Sequence, residues 1–178
     1  HNVFIDTHTS NGADYQHRLT LISSFPEKME KALARFLELE MEPWLYEGMQ
    51  KLGDPMIPYV NSIGKSPFSG IKAFNDRPRY SIGYTSLFNT LSFTTEAHML
   101  KPYNDRIEAT LNFLRTISSF AQRRNEIIVE LKEAADQASA KRNAFEYKWK
   151  TVEDYEHVEY KGYEIDSCYV SPQTELPI

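Results

Sequence analysis

The 178-residue chain contains one cysteine, Cys168, which excludes an internal disulfide framework and leaves the redox compartment open. No apolar run approaches the roughly 20 residues that a membrane-spanning helix needs. Basic charge is also scarce. Twenty Lys and Arg stand against 25 Asp and Glu, giving a net charge of −5 and a pI near 5.6. The basic residues are scattered, so no nucleic-acid partner is expected. Repeats and low-complexity tracts are missing, and so is a signal-peptide pattern. What is present is a globular composition, 41% hydrophobic and 25% charged, enough for one domain with a real core. Aromatics make up 13% of the residues, with tyrosine in excess.

Val3-Phe4-Ile5 predicts a short buried strand, and Asn11-Gly12 ends it because both residues turn the backbone easily. The chain therefore opens in mid-strand, and we expect it to be an excised piece of a longer protein. Ala13 to Ile22 reads as a turn leading to a second strand. Residues 23 to 54 predict the first strong helix. Ser24 and Glu27 form a capping-box pattern, and Pro26 suits a first turn. Met29, Leu33, Phe36, Leu37, Trp44, Leu45 and Met49 recur at helical spacing. Pro43 should kink or divide this helix, and Gly53-Asp54-Pro55 should end it.

Residues 55 to 83, with several prolines and glycines, read as a long loop containing one short strand near Met56-Val60. A short helix is expected over 83 to 91, followed by a strand that ends at Glu96. Lys101 to Ala140 predicts the second strong helix, with Ile107, Leu111, Leu114, Ile117 and Phe120 as its apolar face. Its later part, as a second helix or a continuation, is expected to project past the domain body. From Ala144 onward, alternating residues suggest strands with a turn near Lys161-Gly162. This order gives an α/β layered domain over residues 1–140 with a β-rich segment over 141–178.

Ligand sites in α/β domains lie at the carboxyl ends of strands, where both His8 and Glu96 are expected. Asp6 shares a strand face with His8, because side chains alternate along a strand. A strand-end histidine beside a carboxylate suits a metal ligand or a general base. The simpler alternative is a histidine that only hydrogen-bonds its neighbours. An amidohydrolase-type barrel is excluded: its H-x-H pair would need a histidine where Ser10 stands, and eight strand–helix units are lacking. His98 has the same period-two spacing from Glu96. His17, Asp14 and His157 show no metal-ligand spacing.

Two stretches in order, "FIDTHTSNGADYQHRLTLI" and "RPRYSIGYTSLFNTLSFTTEAHMLKPYNDRIEATLNFL", resemble the carboxypeptidase A superfamily of zinc metallopeptidases. The likeness is greatest to bacterial zinc-carboxypeptidase-like proteins with an E-x-H-x-L-K-P sequence, and it covers about residues 1 to 120. It implies a mixed β-sheet between helices, of which this chain is the C-terminal part. His8 takes the place of the third zinc ligand and Glu96 that of the general base and acid. Asp6 is then a group that orients the His8 ring. The family also uses a mobile tyrosine and carboxylate-binding arginines; Tyr80, Tyr84 and Arg79 are the candidates here, and Ser10 could line the cleft. The family's H-x-x-E zinc pair does not occur in these 178 residues. Tightly bound zinc is therefore not expected in this chain, since a catalytic zinc takes three protein ligands. The implied substrate is a peptide or small amide near a free carboxyl end, and a secreted or periplasmic location follows from the same resemblance. Two rival readings are a peptide- or glycan-binding module that has lost its metal and an amidase acting on cell-wall peptides.

Overall fold

The computed structural model describes residues 1–64, 69–146, 149, 157 and 159–163. Among the described residues the strands, in chain order, are β1 (Val3–Ser10), β2 (Thr20–Ser23), β3 (Ile57–Pro58), β4 (Val60–Ser62), β5 (Ile71–Ala73) and β6 (Leu91–His98). The main sheet has the order β1-β6-β2-β3. β6 runs parallel to β1 and antiparallel to β2, while β2 and β3 are parallel. β4 and β5 make a separate antiparallel pair. The class is α/β with a mixed sheet.

Helices cover both faces of that sheet. Alternation along β6 sends Leu91, Phe93, Thr95 and Ala97 to one face and Ser92, Thr94, Glu96 and His98 to the other. The first face meets α1 (Lys31–Phe36), α2 (Glu42–Lys51), α4 (Tyr103–Arg123) and α5 (Asn125–Ala140). Leu33, Phe36, Leu45, Met49, Phe113, Ile117 and Ile128 form one buried cluster there with Phe93 and Leu21. The second face carries the short helix α3 (Ser81–Ser86), where Thr85 Oγ1 lies 2.7 Å from Ser92 Oγ.

Several expectations about elements need correction. The capping box at Ser24 does not form: Ser24 Oγ donates to the Ser92 carbonyl, and residues 26–28 make only a 3₁₀ turn. α1 begins later, and Glu30 caps it by accepting from the Ala32 N–H at 2.8 Å. The division near Pro43 is a widened turn. Proline has no N–H to give to the Leu39 carbonyl and its ring would collide with it. The chain forms a π turn over Leu37–Met41 and restarts α2 with Pro43 in its first turn.

β6 continues two residues past Glu96, to His98. The buried face of α4 is Ala109, Phe113, Thr116, Ile117 and Phe120, whereas Ile107 and Leu111 are exposed. The later helix does not run past the body. A break at Arg124 (φ −118°, ψ 20°) turns α5 back, so that Ile128 and Ala135 join the core and Asn89 bonds Asp136 and Ser139. Most of the expected β-rich segment over 141–178 lies outside the described residues. Residues 141–146 and 159–163 carry no strand. Among the described residues, no helix is long and apolar enough to cross a membrane.

Candidate functional site

The parallel register of β1 and β6 sets Asp6 opposite Thr94, His8 opposite Glu96 and Ser10 opposite His98. All six side chains share the face that carries α3. The β-branched threonines around them suit this crowded pleat. Both strands present their carboxyl ends together, which brings an imidazole between two carboxylates. His8 Nε2 lies 3.0 Å from Asp6 Oδ2, and Nδ1 lies 3.5 Å from Glu96 Oε1. Asp6 is held from α3, whose Ser81 hydroxyl donates to Oδ2 at 2.5 Å.

The three groups differ in exposure. The His8 side chain is 49% exposed and that of Glu96 only 13%. The buried Oε2 of Glu96 has no hydrogen-bond partner among the described residues. Burial pushes the Glu96 carboxyl above its ordinary range; His8 opposes the shift and Asp6 adds to it. A carboxyl in that state holds a proton more readily than a solvated one. It can offer the proton to Nδ1 while the ring's Nε2–H faces Asp6. The arrangement is suited to taking up and returning a proton.

A small recess opens beside Glu96, walled by Ser10, Thr20, His98, Tyr15 and Tyr59. Ser10 is buried, and its Oγ accepts the Gly12 N–H at 3.1 Å. His98 shares the face of Glu96 as its spacing predicts. Its ring is fixed by two backbone bonds: Nδ1 accepts the Leu100 N–H at 3.2 Å, so Nε2 donates to the Gly12 carbonyl at 2.8 Å. Glu96 pairs with neither Lys101 nor Arg106. Lys101 goes instead to Asp14 at 2.7 Å and to the Tyr163 hydroxyl, and Arg106 donates to the Lys101 carbonyl.

The other candidates stand apart from this centre. Arg79 donates to the Tyr80 hydroxyl at 2.6 Å and lies over its ring, which also meets Phe74 edge-on with centroids 4.9 Å apart. Tyr80 reaches the centre only through the chain, as the residue before Ser81. Tyr84 is exposed and packs edge-on against Phe88. His17 binds the Pro55 carbonyl, and His157 is exposed. Sequence reasoning missed Ser81, Thr20 and Tyr59. Ser81 falls in the expected loop, because the short helix is expected over 83 to 91, whereas α3 starts two residues earlier, at Ser81. Thr20 and Tyr59 had no signal, because only strand register brings them to Glu96.

The fit to zinc is incomplete. Both ring nitrogens of His8 already face carboxylates. Among the described residues, no group of three or more His, Cys, Asp or Glu side chains is arranged to hold a metal ion. One imidazole is short of the three protein ligands that a catalytic zinc takes. Compared with protein-family models, curated proteins and solved structures, the chain matches none.

Proposed function

We propose that this chain carries the proton-transfer side of a zinc-carboxypeptidase-like hydrolase. It would cleave a peptide or small amide bond near a free C-terminal carboxylate. The observation that supports this reading is the pairing of His8 with a desolvated Glu96 at the carboxyl ends of two parallel strands. In the reading, His8 is one metal ligand. Two more have to come from outside these 178 residues, because one imidazole does not hold the ion.

Glu96 does the acid–base work. Its carboxylate takes a proton from water as the new C–O bond forms. The same carboxyl returns that proton to the amine nitrogen as the C–N bond breaks. Ser81 and Asp6 keep the His8 ring in place through both steps. The test is hydrolysis of a blocked dipeptide with a free carboxyl end by the intact gene product. Glu96→Gln is expected to lower kcat by about 10²- to 10⁴-fold, the usual range for a lost acid–base group, with little change in KM. Full activity in that variant would overturn the role of Glu96. The reading also requires an H-x-x-E pair elsewhere in the gene product, and its absence there would overturn the metal part.

A second reading, a peptide-binding module without metal, draws on the engagement of both His8 nitrogens by carboxylates. It expects the same dipeptide to bind without turnover.

A further inference from the structure

A second concavity lies along the same strand as the recess, one step farther from Glu96. Thr20 pairs with Glu96 in the β2–β6 register, and the next residues of β2 line a groove of about 260 Å³. Tyr59 belongs to the walls of both concavities. Phe25 and Phe74 supply further apolar wall, and Phe74 and Tyr59 meet edge-on with ring centroids 5.8 Å apart. The polar groups are concentrated in one place. Glu42, at the start of α2, is half-buried in this wall with Tyr46 one turn on.

The electrostatics of that corner are unbalanced. Burial pushes the Glu42 carboxyl above its ordinary range and Glu38 one turn back adds to the shift, while the neighbouring Ser23 opposes it. Lys28 is committed to Asp76, Lys51 to Glu47 and Arg124 to Glu40. Among the described residues no cation pairs with Glu42. Burial, with the Glu42 charge adding to it, also raises the Tyr46 phenol, so its hydroxyl keeps its proton at neutral pH. A half-buried carboxylate without a counter-charge, set in aromatic walls, is complementary to one kind of group. That group is a cation on an apolar stem.

We propose that this groove is a binding site for an ammonium- or guanidinium-bearing side chain of a peptide. The aromatic walls take the stem and Glu42 takes the charge. The groove needs no metal and no turnover; only its connection to cleavage rests on the function proposed for Glu96.

The test is equilibrium binding, read by ligand-observed NMR on the full chain. Nα-acetyl-lysine amide is compared with Nα-acetyl-norleucine amide, which has a similar stem and no charge. The lysine derivative should bind about tenfold more tightly, as expected for one charge-assisted contact, and should lose that margin in Glu42→Gln. The norleucine derivative should bind both proteins alike, and Glu96→Gln should leave lysine binding unchanged. Equal binding of the two ligands to the unmodified protein would overturn the proposal, and so would binding of neither. That comparison needs no variant to fold. Lysine binding lost in Glu96→Gln but kept in Glu42→Gln would place the cation in the Glu96 recess and overturn the groove as its site.

Discussion

Glu96 concentrates the tension of the site in one residue. It sits on a central strand of the sheet, one oxygen is buried without a partner, and its neighbours include both a base and another acid. The charged form is therefore costly in the folded protein, and the carboxyl titrates above its unfolded value. For a raised carboxyl the favourable contribution is complete below the unfolded pKa and is lost as pH rises through the folded one. Glu96→Gln removes that titration. The variant should gain stability relative to the unmodified protein as pH rises, with little difference at about pH 4 and the largest at about pH 7. Urea midpoints at the two pH values measure it. A constant difference would mean that Glu96 is solvated like a surface acid. This outcome is independent of catalysis, so it separates the physical state of the group from its proposed role.

Among the elements, α3 is short but fixes the geometry of the site, since Ser81 holds Asp6 and Thr85 ties the helix to β6. Its close approach depends on Gly83, where a Cβ would fall on the backbone carbonyls of Asp76 and Arg77. Those carbonyls belong to a segment anchored by the buried Lys28–Asp76 pair. They cannot give way as a flexible side chain would. Gly83→Ala should destabilise by about 2 kcal/mol or more, within the range for overpacking against a rigid neighbour. It should also loosen the Asp6–His8 contact, visible as a changed ¹H–¹⁵N spectrum of the His8 ring. An unchanged melting curve would show that α3 can slide.

At this scale the sequence was an uneven guide. The strands that carry His8 and Glu96 were legible from their apolar and threonine-rich runs, the first closed by Asn11-Gly12 and the second running two residues past its expected end. The buried side of α4 was legible only in part. Ile117 and Phe120 of the expected face are buried, but Ile107, Leu111 and Leu114 continue it as one helically spaced stripe, while Ala109, Phe113 and Thr116 make another. Periodicity cannot choose between them; contact with Phe93 does, through Phe113 at 6.4 Å between ring centroids. The π turn before Pro43 was legible as a disruption but not as a form.

The whole molecule joins a core that is complete in itself to a site at its rim. The buried cluster runs from Leu19 and Leu21 through Phe93 to α1, α2, α4 and α5 without passing through Asp6, His8 or Glu96. The pairing of these three was legible in part: period-two alternation predicted that Asp6 and His8 share a face. Which face of β6 they meet depended on a parallel register between strands about ninety residues apart, which no local pattern encodes. The same separation of core from rim makes a prediction about metal. Since no step of core assembly uses His8, whose side chain is half exposed, a bound ion would not be part of the folding equilibrium of this chain. A chelator such as EDTA should leave Tm unchanged, and added zinc should raise it little, because a single imidazole gives weak binding and stabilisation follows ligand concentration over Kd. Scanning calorimetry with and without chelator checks both. A large fall in Tm on chelation would show that metal is built into the fold, with ligands beyond His8, and the chain would then hold a metal site of its own.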